Sequence, residues 1–299
     1  MYLFPDTLIL LKGGGDLGTG VAWRLHKAGF PVIITELAQP RVVRRMVAFA
    51  SAVYDGEIAV EGVTAWRADS IAQARRLLDD EMIPVLIDPA CETRDELKPV
   101  VMIDAIMAKR NTGTRKSDAS LVIALGPGFT PNVDCHCVIE TKRGHNLGRV
   151  LWSTPAEANT GVPGEIGGKR NERVLRAPVA GIVESRKRIG DSIKQGEVIA
   201  IVRGAEEAAA TEGLDDMRYA ICDTRYATRD TPTVRAPFDG VLRGLVHDGL
   251  LVSANMKIGD VDPRAQREHC FTLSDKALAI GGGVLEAVLE WMKMNGVKP

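Results

Sequence analysis

The chain has no surplus of charge. Its 38 basic and 39 acidic residues leave a net charge of -1, which gives no electrostatic ground for a nucleic-acid partner. No apolar run reaches about 18 residues, and the opening MYLFPDT lacks a basic stretch followed by an apolar core. Neither a membrane span nor a secretory leader is therefore expected. Five cysteines, Cys91, Cys135, Cys137, Cys222 and Cys270, are odd in number and scattered, which argues against a disulfide framework and for a reducing, cytoplasmic compartment. Also missing are a Gly-x-Ser-x-Gly nucleophile turn and the lysine of an ATP- or GTP-hydrolysing loop, and neither His26 nor His247 has a neighbour that makes it an obvious base. What remains is an ordinary globular composition, 45% hydrophobic and 26% charged, in 299 residues, long enough for two cores.

The most informative stretch is Leu8 to Glu36. Leu8, Ile9, Leu10 and Leu11 read as a strand buried on both faces, and Gly13, Gly15 and Gly18 then satisfy G-x-G-x-x-G. Gly13 permits a tight turn, Gly15 lets an anion approach the main chain, and Gly18 lets the helix lie close on the strand. Gly14, Asp16 and Thr19 complete the loop and open a helix whose first amides and positive dipole end favour an anion. Leu17, Val21, Leu25 and Ala28 share one helical face. Glu36 closes the second strand, near the place where an acid takes a ribose hydroxyl. Asp16 repels a phosphate unless it caps the helix, turns outward or meets a cation.

Further along, helices are expected over Arg41 to Val53 and Ser70 to Met82, and strands at Val63 to Trp66, Pro84 to Asp88, Val100 to Asp104, Leu121 to Leu125 and Cys137 to Glu140. Asp88 and Asp104 then stand at strand carboxyl ends, where open α/β sheets place ligands. Gly126 to Phe129 follows another such end. A Gly-, Pro- and Asn-rich segment from Pro155 reads as a linker. Beyond it Ala-Pro-x-x-Gly occurs at Ala177 and again at Ala236, an internal repeat. The two copies resemble the halves of a biotinyl or lipoyl barrel sandwich. Lys257 is a poor carrier lysine, because it aligns inside a strand and not at a hairpin tip. The polar segment Gly204 to Asp230 reads as an excursion between the copies. Gly281 to Gly283 then precede an amphipathic helix, Val284 to Met292, and serve close packing or an anion. The expected architecture is α/β: a Rossmann-like parallel-sheet domain over residues 1–165, a mainly β barrel-sandwich domain over 166–265, and a C-terminal helix over 266–299 packing on the first.

Two clusters invite chemistry. Cys135-His136-Cys137 looks metal-like, but a strand sends the two thiols to one face and the imidazole to the other, so no metal site is expected. Thr141 to His145, TKRGH, can surround an anion, with Arg143 offering a bidentate grip beside His145. Lys109 and Asn111 form a polar group able to reach the same cleft.

Four motifs in order, GGGDLGTGVAWRLHKAGFPVIITELAQP, TKRGHNLGRV, IGDVDPR and LSDKALAIGGGVLEA, resemble the YqeB family of accessory proteins of the selenium-dependent molybdenum hydroxylase system, similar in role to XdhC-type proteins. The resemblance implies maturation of a molybdenum hydroxylase, with a nucleotide or molybdopterin dinucleotide held at Gly13 to Gly18 and Glu36. The alternatives are an NAD-dependent oxidoreductase, with Lys109 or His145 as proton donor, and a non-catalytic interaction module. A small-molecule cofactor, a hydroxylase partner and self-association are the partners expected. Whether the chain is an enzyme stays open.

Overall fold

The computed structural model describes residues 1–158, 167–204 and 232–297. The linker residues 159–166 and nearly all of the 204–230 excursion, with Cys222, lie outside them. The chain divides into two compact units, Met1–Val162 with Phe271–Pro299, and Pro163–Cys270.

The first unit is built on a nine-stranded sheet, in the spatial order β3-β4-β5-β2-β1-β6-β7-β8-β9. In chain order its strands are β1 (Ile9–Lys12), β2 (Val32–Glu36), β3 (Glu57–Val60), β4 (Val63–Ala68), β5 (Ile83–Ile87), β6 (Val101–Asp104), β7 (Leu121–Leu125), β8 (Cys137–Ile139) and β9 (Val150–Leu151). The inner strands are parallel and apolar on both sides, because each face is covered. Ile9, Leu11, Ile34 and Ile103 point to the side carrying helices α1 (Asp16–Lys27) and the C-terminal helix Asp275–Met294. Leu10, Ile33, Met102 and Val122 point to the opposite side. There they meet Ala74 of the helix Ile71–Asp79 and Leu97 of the short helix Arg94–Leu97.

Ser70 caps the helix Ile71–Asp79 by accepting the Gln73 N–H at 3.2 Å. The single helix expected over Arg41 to Val53 does not form. The chain there makes two 3-10 turns, Arg45–Val47 and Phe49–Ser51, before the short helix Ala52–Asp55. Its donors are used elsewhere: the Phe49 N–H goes to Thr19 Oγ1 at 2.8 Å and the Ala50 N–H to the Gly14 carbonyl at 2.9 Å. In order along the chain the α-helices among the described residues are thus α1, α2 (Ala52–Asp55), α3 (Ile71–Asp79), α4 (Arg94–Leu97) and α5 (Asp275–Met294).

Gly281 to Gly283 lie inside α5 and not ahead of it. They serve contact: a Cβ on Gly281 would stand 2.6 Å from the Gly20 carbonyl of α1, and one on Gly283 would stand 1.9 Å from the Gly148 carbonyl. Cys137 joins the cluster beneath α1 and α5, whereas Cys135 joins the opposite one. The two thiols do not share a face, because Cys135 precedes the regular strand. His136 Nδ1 accepts the Val122 N–H at 2.9 Å.

In the second unit the repeat is expressed as two four-stranded antiparallel sheets. The first copy supplies β10 (Val174–Arg176), β11 (Gly181–Ser185), β12 (Ser192–Ile193) and β13 (Val198–Arg203). The second supplies β14 (Thr233–Arg235), β15 (Gly240–Leu245), β16 (Leu251–Val252) and β17 (Lys257–Asp262). The sheet orders are β10-β17-β15-β12 and β14-β13-β11-β16, so each sheet takes two strands from each copy. Lys257 sits in register opposite Arg176, at the start of β17.

These observations correct the expected fold class. The first sheet is mixed, with β3 and β9 antiparallel at its two edges, and β6 reaches β7 with no α-helix between them. The second unit is two four-stranded antiparallel sheets, each with strands from both copies. A Rossmann domain joined to a biotinyl-like barrel is therefore not the description of this chain.

Asp262 is 1% exposed. Burial pushes its carboxyl up, but hydrogen bonds from Arg264 and the charges of Arg264 and Arg243 outweigh burial and hold its pKa below the usual value. A depressed folded pKa contributes stability that is complete above the unfolded value and lost as pH falls through the folded one. The second unit is therefore expected to lose stability on acidification below about pH 4, and Asp262→Asn to flatten that loss. Superimposable acid-unfolding curves for wild type and variant, read by far-UV circular dichroism, would contradict this.

Candidate functional site

A cleft of about 440 Å³ opens where the carboxyl ends of β1, β2, β5 and β6 meet the start of α1. β1 leads to β2 on one side and has β6 on the other, so the strand order reverses here, the place where open sheets leave a crevice. Its lining includes Lys12, Gly13, Gly15, Asp16, Glu36, Arg41, Asp88 and Lys109, with Leu17, Leu37, Val42, Ile106 and Met107 as apolar wall.

The glycine turn is held tightly. Gly13 has φ +93° and donates its N–H to the Thr35 carbonyl at 2.9 Å. A Cβ on Gly18 would stand 2.1 Å from the Gly13 carbonyl, so only glycine lets α1 pass this close. Thr19 Oγ1 donates to the Gly14 carbonyl at 3.1 Å. Gly14, Gly18 and Thr19 thus build the turn. Gly15 faces open space, where an added Cβ would meet only a Val42 methyl group, at 3.6 Å.

The acids of the cleft are each engaged by donors of the protein itself. Glu36 accepts the Gly14 N–H and the Leu37 N–H, each at 2.8 Å. Burial raises its pKa, and those two amides oppose the rise. Asp16 meets a cation: Arg44 Nη1 lies 2.9 Å from both of its oxygens, and Arg44 Nη2 donates to the Thr272 carbonyl at 3.0 Å. Asp88 accepts the Glu92 and Thr93 N–H groups and the Thr93 hydroxyl at 2.7 to 3.0 Å. Burial would raise the Asp88 pKa, but these bonds outweigh it and hold the carboxyl below its usual value.

Three residues of the same corner come together only in the folded chain. Lys12 ends β1 in register beside Asp104 of β6. Its Nζ donates to Thr114 Oγ1 at 2.9 Å and lies 3.7 Å from Asp104 Oδ2, while the Thr114 hydroxyl donates to Asp104 Oδ2 at 2.6 Å. Lys12 is 6% exposed, Asp104 1% and Thr114 2%. Cys91, beneath the same corner, is buried, and burial pushes its thiol up, which suits packing and not nucleophilic attack.

Arg143 and His145 do not line this cleft. Both are exposed, and Arg143 makes a bidentate pair with Asp275 at the start of α5. Lys109 lines the cleft, but Asn111 braces its own loop by donating to the Thr114 carbonyl and Asp134. Gly126 and Gly128 serve close packing, against Thr141 and Arg110. Among the described residues no group of three or more His, Cys, Asp or Glu side chains could hold a metal ion, and no helix is long and apolar enough to cross a membrane.

Fold and cleft together define an α/β protein with a cleft at the carboxyl ends of its central strands. Over 291 residues the chain is 49% identical to the uncharacterized protein YqeB of Escherichia coli K12, a similarity covering 97% of this chain and 49% of that protein. The chain spans about half the length of this curated relative. The similarity supports the YqeB resemblance and carries no statement about a selenium-dependent hydroxylase. No family model matches the chain. Similar solved structures include an aspartoacylase family protein from Mesorhizobium loti, 10% identical with a TM-score of 0.24, covering 86% of this chain and 84% of that one. A succinylglutamate desuccinylase from a Silicibacter species is 11% identical with a TM-score of 0.25, covering 86% and 85%. Likenesses at that level carry neither a fold nor an activity to this chain.

The expected function is corrected with the fold. Within the chain, the Glu36 carboxylate expected to take a ribose hydroxyl already accepts the Gly14 and Leu37 N–H groups. The readings as a molybdenum hydroxylase maturation protein and as an NAD-dependent oxidoreductase, with NAD or a molybdopterin dinucleotide as cofactor, are not carried to this chain, because the acid they assign to a ribose is engaged by its own main chain.

Proposed function

We propose that the protein binds a small organic anion in the cleft between β1, β2, β5 and β6. One observation carries the reading: Glu36, Asp16 and Asp88 are each engaged by protein donors, while Arg41 and Lys109 line the same cleft. The first-turn amides of α1 have no carbonyl of their own helix to reach, and Gly15 at its cap leaves that end open. With the Gly14 amide taken by Glu36, the remaining donors suit a single carboxylate-sized group. The apolar wall of Leu17, Leu37, Val42, Ile106 and Met107 suits a hydrocarbon body beside it.

Titration of a panel of organic acids, followed by thermal shift and calorimetry, tests the reading. Saturable binding of at least one acid is expected, with a rise in Tm that grows with ligand concentration. Arg41→Ala/Lys109→Ala should weaken that binding by about tenfold or more, since each lost charge-assisted hydrogen bond is worth about 1.5–3 kcal/mol. An unresponsive panel, or a double variant that binds like wild type, would overturn it.

A further inference from the structure

We propose that Lys12 is the specificity-determining donor of this cleft, and that the ligand class is an amphipathic oxo acid. The inference rests on the organic-anion reading above and adds a second recognised group, a neutral carbonyl oxygen that accepts a Lys12 Nζ–H.

Lys12 is placed by the sheet itself. The parallel register of β1 with β6 sets it beside Asp104, and both point to the face opposite α1, as Leu10 and Met102 do two residues earlier. The Thr114 hydroxyl accepts from Lys12 and donates to Asp104, so the direction of each bond is set and Lys12 acts as a donor. An ammonium has three N–H groups. One is bonded to Thr114, Asp104 balances the charge at 3.7 Å, and the side chain still forms part of the cleft wall.

A buried ion pair contributes less to stability than apolar residues of the same shape would. A Lys–Asp pair at the wall of a cleft is better accounted for by recognition. Because Asp104 neutralises Lys12, that wall carries no net charge and favours a neutral acceptor over a second carboxylate. The anionic end then belongs with Arg41, Lys109 and the α1 amides. Leu37 and Ile106, 42% and 40% exposed at the rim, are large apolar side chains that a hydrocarbon body would cover.

Calorimetric titration of the full chain with 2-oxooctanoate, 7-oxooctanoate and octanoate tests the inference. At least one oxo acid is expected to bind about tenfold more tightly than octanoate. Lys12→Met should abolish that preference. Lys12→Met/Asp104→Asn does the same without leaving a buried carboxylate unbalanced, so the test survives a poorly folded single variant. Equal binding of oxo acids and octanoate by wild type, or a preference retained in the double variant, overturns the role of Lys12 and leaves the organic-anion reading standing. If none of the three binds, the oxo-acid proposal falls, and the broader acid panel decides separately whether the cleft reading falls with it.

Discussion

Gly283→Ala is expected to destabilise the first unit by about 3 kcal/mol, at the upper end of what overpacking usually costs. The added methyl group would stand 1.9 Å from the Gly148 carbonyl, and backbone cannot turn aside as a side chain can. Gly148 is itself confined, with φ +82° and the Ala279 carbonyl 2.6 Å from its own Cβ position. Relief therefore requires α5 to lift from the loop before β9, which would open the cluster of Ile280, Val284, Ala287 and Val288. The neighbouring Gly282 has nothing within 4 Å of its Cβ position. Gly282→Ala is expected to stabilise the same helix by about 0.5–1 kcal/mol, since alanine loses less conformational freedom. Urea unfolding read by tryptophan fluorescence compares the two directly, because Trp152 and Trp291 flank this region. Effects of the same sign would show that α5 is not seated by backbone contact at Gly283.

Asp104→Ala should cost about 3–5 kcal/mol, the range for a buried charge left without its partner. The loss is attributed to the Lys12 ammonium, which keeps its Thr114 hydrogen bond but loses the carboxylate that balances its charge. Lys12→Met/Asp104→Leu should recover most of the stability, because two apolar side chains avoid the desolvation that the ion pair incurs. A double-mutant cycle under denaturant separates this from a general loss of packing. If the double variant is as unstable as Asp104→Ala, the pair is not the source of the cost. If it is stable but no longer distinguishes oxo acids from octanoate, stability and recognition have been separated at one site.

Much of the local structure is legible in the chain itself. Leu8 to Leu11 announce a buried strand, and the helical spacing of Val21 and Leu25 announces α1. Ser70 marks the start of α3 with its own hydroxyl. These features depend on residues a few positions apart. Arg41 to Val53 misleads because its amides bond to Gly14 and Thr19, more than twenty residues earlier. The triple glycine in α5 misleads in the same way, since the surfaces that need those glycines belong to α1 and the Gly148 loop. The site shows the same division. Gly13, Gly15, Asp16 and Glu36 are visible as a glycine turn ending in an acid, and the structure does place them around one cleft. Lys12 looks like the last residue of a strand, because nothing near it in the chain shows that Asp104 and Thr114 will meet it. Arg143 and His145 look like partners of the glycine turn, but Asp275 holds the arginine elsewhere.

Sequence by itself determined the strand, turn and helix around Gly13 to Gly18, the duplication at Ala177 and Ala236, and the absence of any strong charge bias. Each follows from short-range periodicity, from the conformations open to glycine, or from composition. Only the tertiary structure decided that the sheet is mixed, that both repeats share each of two sheets, and that Glu36 bonds to the turn it was expected to assist. Those outcomes depend on register and on competition for hydrogen bonds between residues distant in the chain, which no local pattern encodes.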